Sequence, residues 1–78
     1  MYYVYLLELS DGRIYTGSTP RLKVRLKEHS QGLCLSTNNF RPVKLIWCGI
    51  FRNRLIARRF ENYLKSGSGQ AFRNKRLV

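Results

Sequence analysis

Acidic side chains are nearly missing from this 78-residue chain: four Asp and Glu stand against fifteen Lys and Arg, for a formal net charge of +11. The imbalance is uneven. Residues 1–39 carry five Lys/Arg and three acids, whereas residues 40–78 carry ten Lys/Arg and a single acid, Glu61. One carboxylate cannot neutralise ten cations, so the second half is suited to a polyanion, and nucleic acid fits that description. A membrane surface is a poorer partner, because no long basic amphipathic helix offers lipid a free apolar face. Long apolar runs are missing too: none approaches the roughly 18 residues of a membrane span, and Met1 leads directly into a strand-like run rather than a signal peptide. An intracellular, cytoplasmic protein is expected. Cysteine is sparse: Cys34 and Cys48 lie outside any CxxC or Cys/His cluster, which argues against structural zinc and for free thiols. A chain of this length makes one domain, residues 1–78, and buries only about 60% of its unfolded surface.

What the chain does have is two tyrosine-bearing runs, MYYVYLLEL and RIYTG, on either side of SDG. Aromatic and branched residues around turn chemistry predict a β-hairpin. Its loop length sets which side chains share a face, since a one-residue slip moves every one of them to the other side. A loop of Asp11-Gly12 alone puts Tyr5 and Tyr15 on opposite faces. A loop of Ser10-Asp11-Gly12, closed by a left-handed Gly12, sets Leu7 opposite Tyr15 and Tyr5 opposite Gly17, so both phenols share one face. The second register is preferred, because Gly12 stands where the left-handed residue is needed and Asp11 suits the turn.

STPRLKVRLKEHSQG predicts a first helix near residues 20–30, with Thr19 as N-cap, Pro20 at the first position and Gly32 at the stop. Leu22 and Leu26 form its buried stripe, and Arg25 and His29, four apart, lie along one edge of it. LCLSTNNFRP reads as loop. PVKLIWCGIF reads as a third strand in which Val43, Leu45 and Trp47 alternate with Lys44 and Ile46. RLIARRFENYLKS predicts a second helix ended by Gly67, with Leu55, Ile56, Ala57, Phe60, Tyr63 and Leu64 on one broad face and Glu61 at its border. GQAFRNKRLV is expected to add a last helical turn or two that docks Phe72. The fold class is α+β.

Two phenols, an arginine, the only histidine and an isolated glutamate in a basic domain suit phosphodiester hydrolysis. A phosphate under attack gathers negative charge, which a guanidinium stabilises bidentately and a divalent cation held by carboxylate neutralises further. The attacking water needs a base, and a phenol beside Arg⁺ or a neutral imidazole can serve. One carboxylate is enough for Mg²⁺, which keeps most of its ligands as water and phosphate oxygen.

These residues also resemble those of a known family, the GIY-YIG nuclease domains, especially the small stand-alone bacterial members. YVY (Tyr3-Val4-Tyr5) stands where the family has GIY, and YTG (Tyr15-Thr16-Gly17) where it has YIG. The likeness continues through GST, through VRLKEHSQG with Arg25 and His29, through RPVKLIW, and through ARRFENYLKSGSG with Glu61. It implies a three-stranded antiparallel sheet flanked by helices and a metal-dependent DNA endonuclease using Mg²⁺ or Mn²⁺. Tyr5 and Tyr15 would orient or deprotonate the water, Arg25 would hold the scissile phosphate, and Glu61 would bind the metal. His29 would serve as an alternative base or a phosphate contact. Gly17, Ser18, Arg21, Lys44, Arg54, Arg58 and Lys65 are the expected DNA contacts, Gly17 by leaving room for a phosphate to approach.

Two positions depart from the family pattern, Tyr3 for glycine and Thr16 for isoleucine, both structural rather than chemical. No separate DNA-reading module fits in the chain, so weak sequence preference is expected, with recognition of DNA shape or help from a protein partner or self-association. A role in repair or recombination is consistent with that, and no membrane or nucleotide cofactor is implied. The alternatives are a non-catalytic basic nucleic-acid-binding module and an adaptor of a repair complex.

Overall fold

The computed structural model describes all residues from Met1 to Val78. Strands β1 (Tyr2–Glu8) and β2 (Ile14–Thr19) form the hairpin, helix α1 (Leu22–Ser30) follows, and a 3-10 turn (Asn38–Phe40) leads to β3 (Lys44–Phe51). Helices α2 (Arg54–Lys65) and α3 (Gly67–Arg76) complete the chain. The sheet is antiparallel throughout in the order β2-β1-β3, the α+β architecture expected.

The hairpin takes the three-residue loop. Leu9 N–H donates to the Arg13 carbonyl, Gly12 N–H donates to the Leu9 carbonyl, and Gly12 has φ +88°, the left-handed conformation that costs glycine nothing. Tyr5 consequently pairs with Gly17 and Leu7 with Tyr15. Alternation along β1 then divides the core between two faces. Val4 and Leu6 join Ala57 and Leu64 beneath α2, while Tyr5, Leu7 and Leu9 collect Tyr15, Leu22, Leu26 and Phe40 beneath α1.

Three elements differ from the sequence expectation. Helix α1 starts at Leu22, because Thr19 remains in the ladder opposite Tyr3 and its hydroxyl accepts the Arg21 N–H instead of capping a turn begun at Pro20. Strand β3 does not keep its alternation: Leu6 pairs with Trp47 and Leu7 with Leu45, so Ile46 is the extra residue of a bulge. Trp47 and Ile46 therefore pack under α2, Val43 packs under α1, and Leu45 is left exposed. The C-terminal tail is a ten-residue helix rather than a turn or two, capped by the Ser66 hydroxyl, which accepts the Gly69 N–H. Leu77 reaches the core, whereas Phe72 lies outside it against Tyr63, with ring centroids 6.0 Å apart.

Helix α2 is capped by Asn53, whose side chain accepts the Ile56 N–H. Its buried line is Ala57, Glu61 and Leu64, the i, i+4, i+7 repeat of one helix face. Leu55, two positions from Ala57 and so roughly 200° around the axis, is 60% exposed. The face turned to the sheet is narrower than the apolar residues suggested.

Candidate active site

The sheet register and α1 bring three rings together. Tyr5 and Tyr15 have centroids 6.2 Å apart, and the His29 ring lies edge-on to both, at 5.7 Å from Tyr5 and 5.2 Å from Tyr15. Tyr5 and His29 are each only 1% exposed, while Tyr15 is half-buried. The Tyr5 hydroxyl is hydrogen-bonded to His29 Nε2 at 2.9 Å, and His29 Nδ1 to Thr37 Oγ1 at 2.8 Å. A neutral imidazole donates from one nitrogen and accepts at the other, so Thr37, His29 and Tyr5 form one continuous donor–acceptor chain.

Electrostatics keeps that chain uncharged. Burial, with Tyr15 alongside, pushes the Tyr5 phenol far above its usual range, and the nearby Arg25 guanidinium only partly offsets this. Burial and the charge of Arg25 likewise lower the His29 pKa against the weaker opposing pull of Glu28. His29 has no open nitrogen with which to touch a phosphate; it communicates through Tyr5.

Gly17 differs from the reading that gave its missing side chain to an incoming phosphate. A Cβ there would stand 2.5 Å from the Tyr5 hydroxyl and 3.0 Å from Tyr15 Cε1, so the space is filled by the protein's own phenols. Glycine lets Tyr5 lie across β2 and reach His29.

Arg25 leaves α1 on the same side, exposed, with Glu28 Oε1 at 3.6 Å and the Cys34 thiol at 4.0 Å from Nη1. That pairing is loose, and such an exposed pair contributes little to stability, so the guanidinium is available to a ligand. Glu61 comes from the opposite face, where α2 crosses β2. Its Oε1 accepts from the Ser18 hydroxyl and its Oε2 from Lys65 Nζ at 2.8 Å. Burial by itself raises a carboxyl pKa, but the bonds from Lys65 and Ser18 and the charges of Lys65 and Arg58 outweigh it, and Glu61 is held below the ordinary carboxylate range. Ser18 and Gly17 are neighbours on the outer strand of the sheet, so the phenols and the carboxylate flank one edge.

Of the expected DNA contacts, Ser18 and Lys65 serve Glu61. Arg21 lines an open cleft beside Arg25, and Arg54 and Arg58 are exposed on α2. Lys44 pairs with Glu8, at the end of β1 remote from Val4 and its partner Ser18 and one residue beyond the pair of Leu7 with Tyr15. Thr37 is the member that sequence reasoning missed. It sits in the segment read as loop, eight residues from His29, and no local pattern marks a threonine as an imidazole partner.

No group of three or more His, Cys, Asp or Glu side chains comes together. The donors present are one ionised carboxylate and an adjoining hydroxyl, which suit a hard divalent cation that keeps most of its water. The Lys65 ammonium on Oε2 shows that this carboxylate already attracts positive charge.

The chain is similar to known proteins over most of its length. The family model described as the GIY-YIG catalytic domain matches residues 1–76. A UPF0213 protein of Streptococcus agalactiae is 40% identical over 70 residues, 88% of this chain and 80% of its own length. A second, from Clostridium perfringens, is 39% identical over 66 residues, covering 83% of this chain and 71% of the relative. The solution NMR structure of a UPF0213 protein from Bacillus halodurans is 33% identical and superposes with a TM-score of 0.57, covering 91% of this chain and 80% of that one.

Proposed function

Because the chain belongs to the GIY-YIG family of nuclease domains, we propose that it is a divalent-metal-dependent DNA endonuclease. The observation that carries this reading is the hydrogen bond between the Tyr5 hydroxyl and His29 Nε2, on the same strand edge as an open arginine and an ionised glutamate. Arg25 holds the non-bridging oxygens of the scissile phosphate and takes up charge as the water attacks. Tyr15 helps to orient that water. Tyr5 accepts a hydrogen bond from it while its own hydroxyl donates to Nε2 and Nδ1–H donates to Thr37; the water oxygen bonds to phosphorus and gives its proton to solvent as the bond to the leaving sugar oxygen breaks, and that oxygen takes up a proton from solvent. Orienting the water through a neutral phenol suits a tyrosine whose ionisation burial opposes, beside a histidine whose protonation burial and Arg25 oppose. Glu61, placed by Ser18, would hold Mg²⁺ or Mn²⁺, which when bound supplies positive charge to the phosphate.

No element of residues 1–78 stands outside the nuclease fold to read base edges. The basic surface of these residues suits selection by backbone charge and DNA shape, as in a repair or recombination enzyme that takes branched, nicked or single-stranded DNA. The experiment is cleavage of a labelled panel of duplex, single-stranded, nicked and branched DNA with Mg²⁺, Mn²⁺ or EDTA. Wild type should cut only with metal, and Arg25→Ala and Glu61→Gln should each lose roughly 10²-fold or more in rate, the scale of removing one electrostatic partner. Binding without cleavage in every protein would instead make the domain a binding module.

A further inference from the structure

Tyr3 is a large aromatic side chain that packs on neither core cluster and pairs with no other ring. It is only half-buried, although it lies in the central strand. By parity along β1 it shares a face with Tyr5, and its strand partner is Thr19, two residues beyond Gly17. There it forms the wall of an open cleft of about 400 Å³, together with Pro20, Arg21, Leu22, Lys23 and Val24. A second cleft of about 250 Å³ shares Pro20, Arg21 and Val24 with the first and continues to Arg25 and Glu28. The two clefts adjoin along these shared residues and are taken together as one trough, the first part lined by Tyr3 and the second by the phosphate-holding arginine.

The composition of the trough identifies its occupant. Arg21 and Lys23 line it with positive charge, Arg25 adds to this where it also faces Glu28, and Tyr3, Pro20 and the 52%-exposed Val24 give it apolar surface. A ring and a proline beside cations accept the flat face of a base while the cations follow its phosphate. In duplex DNA those faces are stacked and out of reach, so only an unpaired nucleotide can present one.

We propose that Tyr3 is a stacking platform for an unpaired DNA base next to the phosphate held by Arg25, which makes a single-stranded or frayed segment the preferred substrate. The placement of that phosphate rests on the nuclease reading, whereas stacking is a binding property that can be measured without chemistry. The test uses the whole protein in EDTA, where no metal-dependent cleavage occurs, with fluorescence anisotropy of a labelled single-stranded oligonucleotide and of the same sequence as blunt duplex. A single-stranded probe carrying 2-aminopurine reports stacking through quenching of its fluorescence. Tyr3→Ala should weaken single-strand binding roughly tenfold or more, the scale of losing one stacked base, should abolish the quenching, and should change duplex binding less than about twofold. Tyr3→Phe should retain the wild-type behaviour, and circular dichroism should show that both variants fold. Equal losses on single strand and duplex, or no loss on either, would overturn the platform. A wild type that fails to cleave with Mg²⁺ but shows the Tyr3-dependent difference would overturn the nuclease reading and leave the platform standing.

Discussion

Burial and hydrogen bonding set the charge of His29 before any ligand arrives. Its pKa lies below the ordinary value of about 6.5 because the ring is desolvated and faces Arg25, with Glu28 opposing from the same helix. The unfolded chain then binds a proton that the folded chain refuses, so stability is complete above pH 6.5 and falls as pH drops toward the folded-state pKa. Thermal melts between pH 7.5 and 5 should show Tm declining with acid in wild type and a flatter profile in His29→Gln, which cannot take up the proton. An identical slope in both proteins would show that His29 is not the group responsible. The depressed pKa of Glu61 acts in the same direction at lower pH, below the ordinary carboxylate value. At this scale the sequence was informative where motif and register agreed: Tyr5, Tyr15, Arg25 and Glu61 were legible as candidates, and Gly12 identified the register. The depth of His29 and its bond to Thr37 were not, because a helical wheel gives an angle around α1 and not the path of the later segment that closes over it.

Between elements, α3 turns back closely on α2 at Gly69. A Cβ on Gly69 would stand 1.6 Å from the Tyr63 carbonyl oxygen and 2.8 Å from Leu64 Cα, both of them backbone atoms that cannot swing aside. Gly67, the first residue of α3, would place a Cβ with no atom within 4 Å. Gly69→Ala should therefore cost about 1–3 kcal/mol by forcing the helices apart, lowering Tm by roughly 4 °C or more. Gly67→Ala should raise stability by about 0.4–1 kcal/mol through the unfolded state. Calorimetry on the two variants checks the pair; a similar change in both would mean that the contact is not rigid. Elements themselves were legible from punctuation and period, but their interruptions were not. The bulge at Ile46 carries no glycine or proline to announce it, and Thr19 has the right chemistry for a helix cap while its ladder partner Tyr3 keeps it in the strand. In both places pairing along β1 decides what local preference leaves open.

For the molecule as a whole, charge is the dominant surface property. Only three ion pairs form, Arg13–Asp11, Arg25–Glu28 and Lys65–Glu61, against fifteen Lys and Arg. The remaining cations are free to displace counterions from a phosphate backbone, and this much was plain from composition. Replacing Arg54 and Arg58 together by Gln should lower the slope of log affinity against log salt by roughly 1–2 and weaken unrelated DNA sequences alike; anisotropy titrations from 50 to 300 mM salt, on the order of the range where such slopes are read, provide the measurement. An unchanged slope would place the DNA on another surface. The opposite of this yielding surface is β1, which lies between β2 and β3 and has Val4, Tyr5, Leu6 and Leu7 all closed to solvent. The Tyr5 hydroxyl thus belongs to a strand closed on both faces, whereas its partner His29 also depends on Thr37 in the loop before β3, a segment that can open while the sheet stays closed. The site is therefore less durable than the fold that carries it: opening of that loop releases His29 Nδ1 while Tyr5 stays closed within the sheet.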